Sequence, residues 1–223
     1  MFKSNMTVGE IVARLPQAAE LFQTLGVDYC CGGNRKLSDA LSEKGLEETP
    51  TLARLEALAE SARPQPVQDF TAITPSELCD YIVNTHHAYL RQSLPQIGNL
   101  VQAVLRAHGA AHPELFKVGS VFGALRGDLE QHILHEELVL FPALTFGEEQ
   151  TAAAQLAPDI IHEHEGAGAL LAELRSITQD YTVPSDACPS YALLYKMLPE
   201  LEHDLHQHIH HENNILLKQY DIR

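Results

Sequence analysis

Leu194, Leu198, Leu201, Leu205, His208, Glu212 and Ile215 recur in alternating steps of four and three, the spacing that keeps one stripe of a helix turned to a core. Two members of that stripe are polar. An earlier stretch repeats the arrangement as Val118, Phe122, Leu125, Leu129, His132, Glu136 and Val139. Set side by side at an offset of 76, LEQHILHEELVLF (129–141) and LHQHIHHENNILL (205–217) agree at seven of thirteen positions, so they read as internal copies. Two further seams, Val83-His87-Leu90-Leu94-Ile97 and Ile160-His164-Ala167-Leu171-Leu174, carry one His each. Helices near 75–107, 114–146, 149–180 and 189–219 are separated by His112-Pro113, Gly147 and Val183-Pro184-Ser185. Connections this short make sequential helices antiparallel neighbours, which gives an all-α fold with an up-down-up-down four-helix bundle. Pro95, Pro142, Pro158 and Pro199 fall within or near the ends of these stretches and predict kinks or later starts.

A smaller helical module precedes the bundle. Thr7-Val8-Gly9-Glu10 has the form of a capping box; Pro16, Gly26 and Gly45 punctuate short helices, and Thr49-Pro50 opens a fourth. Pro64 and Pro66 then break the periodicity in a polar stretch, 63–69, of the kind that separates domains. The expected division is an N-terminal helical domain over 1–67 and the bundle over 68–223. Thr74-Pro75-Ser76-Glu77, a second capping box, starts the first bundle helix.

Four seams facing one centre bring His87, His132, His164 and His208 inside, with the carboxylates of Glu136 and Glu212. Buried carboxylates and imidazoles are costly unless paired or bound to metal. Four nitrogens and two carboxylates exceed what one tetrahedral zinc uses but suit two ions that share the carboxylates, each ion then having two His and two Glu donors and room for a small ligand. Such donors suit iron, and manganese or zinc fit the same set. His-x-x-x-Glu spacing turns both side chains of a pair to one side of the helix. His108 continues the first seam, but it stands 21 residues from His87, about 31 Å along a helix, too far to serve the same centre. His86, His135, His206, His210 and His211 lie off or beside the seams and are expected to be solvated or to hydrogen-bond the ligands.

Composition narrows the partners. With 15 Lys and Arg against 30 Asp and Glu the formal charge is −15, which repels phosphate backbones and anionic lipid, so neither nucleic acid nor membrane is an expected partner. MFKSNMTVGEIVARLP lacks the apolar core of a signal peptide and no stretch approaches a membrane span, so a cytoplasmic location is expected. The four cysteines are poorly arranged for a disulfide framework and read as thiols. Cys30 and Cys31 are adjacent in a Gly-flanked loop and are the candidate reactive thiols; Arg35 and Lys36 favour their ionisation and Asp28 opposes it.

DYCCGG at 28–33, THHAYLRQSLP, HILHEELVLFP, EHEGAG and HQHIHHENNILL together resemble the RIC family, named for repair of iron centres (the YtfE/ScdA/DnrN group). The resemblance spans nearly the whole chain. It implies an ScdA-type N-terminal domain ahead of a hemerythrin-like bundle. It further implies a non-haem di-iron centre, oxo- or hydroxo-bridged, on His87, His132, His164, His208, Glu136 and Glu212. The implied function is repair of iron-sulfur clusters after oxidative or nitrosative stress, with iron donated from a labile centre to iron-sulfur proteins. Nitric oxide binding or reduction at the same centre is the alternative, so turnover enzyme or iron donor stays open. A metal-dependent sensor or interaction module is a third reading, and the resemblance permits a homodimer. It also connects Cys30 and Cys31 with iron or nitric oxide chemistry.

Overall fold

A computed structural model describes residues 2–61, 69–146 and 150–220. The described residues are helical, with one isolated antiparallel bridge, Thr7 to Lys36, as their only extended pairing. The fold is all-α. The polar stretch at 62–68 and the Gly147 connection lie outside the described residues. The chain divides into two compact units, one made of Met1–Cys79 with His206–Arg223, the other of Asp80–Leu205.

The first unit begins with α1 (Val8–Arg14), α2 (Ala18–Thr24), α3 (Leu37–Glu43) and α4 (Glu48–Ser61). Thr7 caps α1 as its sequence predicts: its hydroxyl accepts from the Glu10 amide at 3.2 Å while Glu10 accepts from the Thr7 amide at 3.0 Å. Gly26 and Gly45 follow the ends of α2 and α3 with φ of 65° and 67°, the left-handed backbone that stops a helix at little cost only when glycine supplies it. α4 starts at Glu48, two residues ahead of the Pro50 start that its sequence predicts. Val8, Ile11, Phe22, Leu37 and Leu41 form the core of this unit, joined by Ile215 and Leu216 from the chain's last turns.

The long stripes are buried. α5 (Pro75–Ile82) leads through a π turn at Val83–His87 into α6 (Ala88–His108); α7 (Glu114–His135) leads through a second π turn at Glu136–Leu140 into α8 (Phe141–Phe146). α9 (Gln150–Ile177) and α10 (Pro189–His211) follow, and α10 continues through a third π turn at Glu212–Leu216 and a 3-10 turn at Leu217–Tyr220. α6 packs on α7 and α7 on α9. The helices run through Pro95, Pro158 and Pro199, and Pro142 is the second residue of α8, directly after the π turn. α9 ends short of the predicted 180 because Gln179, Asp180 and Tyr181 all take positive φ. Glu202 holds that corner, accepting from the Tyr181 hydroxyl at 2.6 Å and Arg175 Nε at 3.0 Å.

The π turns overturn two seam assignments. Val139, expected in the core, is 42 % exposed, and Leu140 is buried in its place; Val83 is only half-buried while Ile82 is fully buried. A π turn holds an extra residue per turn, so a stripe counted at helical spacing slips by about one position where it crosses the turn. No described helix is long and apolar enough to cross a membrane.

Candidate metal centre

The second unit assembles three of the predicted histidines around one predicted carboxylate. Glu136, fully buried, opens the π turn that follows α7. His87 closes the π turn ahead of α6, and His164 sits on α9. His87 Nε2 lies 3.3 Å from Glu136 Oε2, His132 Nε2 lies 3.2 Å from Oε1, and His164 Nε2 lies 3.8 Å from Oε1. The His132 and His164 Nε2 atoms are 3.1 Å apart, and the donor atoms of His132, Glu136 and His164 all fall within 4.8 Å of one another. Phe141 stacks on the His87 ring at 5.7 Å and 11°.

The far sides of two of these imidazoles are tethered. His87 Nδ1 is 2.6 Å from Glu137 Oε1, and Arg91 Nη2 donates to both Glu137 oxygens at 2.6 Å. His132 Nδ1 is 2.7 Å from Glu163 Oε2. Burial pushes the Glu137 carboxyl up, but the hydrogen bonds from Arg91 and His87 outweigh it and hold the group below the ordinary glutamate range. A carboxylate on Nδ1 keeps the ring proton there, so Nε2 turns its lone pair toward Glu136. Lone pairs and a carboxylate directed at one buried place make an electron-rich pocket, which a divalent cation fits. Glu137 and Glu163 lie off the apolar seams yet hold two of these imidazoles. Their sequence signal is adjacency to Glu136 and His164, a weak one because neighbouring helical residues diverge in direction.

In the first unit His208 and Glu212 stand one turn apart, both fully buried, with His208 Nε2 2.9 Å from Glu212 Oε1. Glu212 opens the third π turn as Glu136 opens the second. The internal copies thus share a backbone device as well as residues: π turns of this kind recur at functional sites because they redirect a side chain inside an otherwise regular helix.

Among the other histidines, His86, His210 and His211 are buried. His86 Nδ1 is paired with Asp204 at 2.9 Å, and His210 Nδ1 donates to the Tyr29 carbonyl at 3.3 Å; burial pushes the His210 imidazole down to about 4. His108 closes the opposite end of α6 from His87, with its ring 5.3 Å from Tyr191 and 6.2 Å from His112.

Cys30 and Cys31 come together with Asp28. Cys30 is buried and Cys31 is half-buried; their Sγ atoms are 3.8 Å apart. The Cys31 hydrogen bond, burial and the nearby Asp28 charge all push the Cys30 thiol well above its ordinary range. Cys31 and burial lead that shift and Asp28 adds to it, while the Arg35 guanidinium is engaged with Glu43.

Comparison with known proteins bears on both parts. Residues 4–59 match ScdA_N, described as a domain of unknown function, and residues 80–220 match the hemerythrin HHE cation binding domain. The chain is 32 % identical to an "iron-sulfur cluster repair protein YtfE" from Pectobacterium carotovorum subsp. carotovorum, over 95 % of each chain. It is 32 % identical to a "probable iron-sulfur cluster repair protein" from Haemophilus influenzae, over 96 % of this chain and 95 % of the relative. It is 28 % identical to an "iron-sulfur cluster repair protein ScdA" from Staphylococcus haemolyticus, over 99 % of this chain and 100 % of the relative.

Proposed function

We propose a function from one premise, that this chain belongs to the family of hemerythrin HHE cation-binding proteins that carry an ScdA-type N-terminal domain. The proposed role is repair of damaged iron-sulfur clusters, by donation of iron to iron-sulfur proteins from a centre of two non-haem irons. The proposed ligands are His87, His132, His164 and His208, with Glu136 and Glu212 shared. Each ion would then be held by two imidazoles and the two carboxylates, with room left for a small ligand.

The observation that carries this reading is the set of Nε2 atoms directed at the buried Glu136 carboxylate while Glu137 and Glu163 hold two of the opposite ring nitrogens. The His208–Glu212 pair repeats the His132–Glu136 pair in sequence, in spacing and in the π turn that follows. Bound iron supplies an exchangeable, redox-active cation. The residues supply graded hold: imidazole and carboxylate bind ferrous iron through intermediate and hard donors, without the thiolates that would retain it strongly. Arg91 neutralises Glu137 and so keeps that carboxylate ionised for its task on His87. The proposed place of work is the cytoplasm.

Metal analysis of protein purified without chelator should find two irons per chain, and Glu136→Ala or Glu212→Ala should remove most of that iron while Cys30→Ala leaves it nearly unchanged. Iron-loaded protein, incubated anaerobically with an iron-depleted ferredoxin and sulfide, should restore the ferredoxin's cluster absorption. Failure to do so under reducing conditions rejects donation. Catalytic disappearance of nitric oxide in the same preparation would instead make the chain a reductase.

A further inference from the structure

The geometry points to a second cation site, formed by Asp28, Cys30 and Cys31, that takes a thiophilic divalent ion in tetrahedral coordination with the fourth position open. It lies in the domain whose match carries no function. The donor atoms of the three residues lie within 4.8 Å of one another. A tetrahedral ion with metal–sulfur bonds of about 2.3 Å requires its two sulfurs to be about 3.8 Å apart. The Cys30 and Cys31 Sγ atoms stand 3.8 Å apart. The same ion, with a carboxylate oxygen at about 2.1 Å, requires a sulfur–oxygen distance of about 3.6 Å. Cys30 Sγ and Asp28 Oδ1 stand 3.2 Å apart with a thiol proton between them, so ligation exchanges that proton for the ion with a movement of a few tenths of an ångström.

The loop is built to hold this arrangement. Asp28 Oδ1 accepts from the Cys30 amide at 3.0 Å and Oδ2 from the Gly32 amide at 2.9 Å, which fixes the carboxylate independently of the thiols. Asn214 Nδ2 donates to the carbonyls of Tyr29 and Cys30 at 3.2 and 2.8 Å. Asn214 fits there because Gly9 and Gly33 lack side chains: a Cβ at either would lie 2.3 or 2.4 Å from Asn214 Oδ1. One thiol is buried, the other half-buried, and Asp28 is exposed, so an ion has both a dry seat and an entry.

Ligation is written as M²⁺ with two thiols and one carboxylate going to a bis-thiolate, mono-carboxylate complex and two protons. No electron is transferred. The Cys31 hydrogen bond, burial and Asp28 favour the protonated Cys30 thiol, and a bound dication reverses that preference because a coordinating thiol gives up its proton. A structural zinc site closes with four protein ligands. Three leave a position through which an ion can be handed on.

The probe is Co²⁺, added anaerobically to the reduced full-length chain. Wild type should develop a sulfur-to-cobalt charge-transfer band and release about two protons for each ion bound at this site. Cys31→Ser should abolish the band, and Asp28→Asn should weaken binding on the order of tenfold or more. Cys31→Ser should keep the wild-type circular dichroism spectrum and melting temperature, and Asp28→Asn, which gives up one of the two amide hydrogen bonds, should keep the circular dichroism spectrum. The band should persist in Glu136→Ala/Glu212→Ala protein, which separates this site from the proposed iron centre. Absence of the band in wild type, or its survival unchanged in Cys31→Ser, overturns the proposal.

Discussion

The two internal copies carry the same inward stripe and opposite outward ones. His132 and Glu136 correspond to His208 and Glu212, all buried and each Glu opening a π turn. Yet Leu134 and Leu138 are 54 % and 73 % exposed, whereas their counterparts His210 and Asn214 are 3 % and 6 % exposed. In the second copy that outward face is covered by the backbone of Tyr29 and Cys30, whose carbonyls need donors, and the polar residues supply them. Glu137, which holds His87, corresponds to Asn213. A repeated helix therefore keeps the residues that its interior demands and varies those that its surroundings demand. The lesson is that likeness between copies marks the centre, while unlikeness marks what each copy is packed against.

Exchanging residues between the copies tests that account. Asn214→Leu, which installs the first copy's residue in the second, should cost about 1–3 kcal/mol in urea unfolding because two loop carbonyls lose their buried donor. Gly33→Ala should cost a similar amount by forcing a methyl against Asn214 and the Tyr29 carbonyl. A neutral result for either would mean that the loop is not fastened by this contact. Glu137→Gln should weaken iron binding about tenfold with little change in melting temperature, since it frees His87 without emptying the core. An unchanged dissociation constant would show that the tether is unrelated to ligation. The reciprocal exchange, Leu138→Asn, should stay within about 0.5 kcal/mol of wild type in the same urea titration, because that face meets solvent.

The smallest effect is expected at the other end of α6. His112 pairs with Asp186 at 3.1 Å and with Glu114 at 2.9 Å, and these hydrogen bonds, that to Asp186 first, raise its pKa above the ordinary histidine value. His108, whose ring lies 6.2 Å away, also faces it. A raised folded-state pKa gives a contribution that is fully present below about pH 6.5 and lost as pH rises through the folded value. Hydrogen exchange across residues 182–188 should therefore quicken, beyond its intrinsic pH dependence, as pH rises through that window, and His112→Gln should remove the excess. Identical profiles would show that the clip contributes nothing.

The metal-ligand stripes are legible in the sequence because burial imposes a helical period on apolar residues, and His87, His132, Glu136, His164, His208 and Glu212 interrupt it at core positions. All six are buried. The period could not reveal the π turns, since an added residue leaves composition and local propensity untouched, and so Val83 and Val139 were misplaced. Nor could it reveal Glu137 and Glu163 as tethers or His86 as a buried partner of Asp204, because a charged residue beside a seam looks the same whether it meets water or an imidazole.

By itself the sequence determined the helices, their caps at Thr7 and Thr74, the glycine stops and the polar residues that must face inward, all of which follow from local backbone preference and from the cost of burying charge. Tertiary structure alone decided the ring nitrogen that each imidazole turns inward, the packing of Asn214 between two glycines and the spacing of the Cys30 and Cys31 sulfurs. Those are relations between residues distant in the chain or fixed by such residues, and only packing sets their distances.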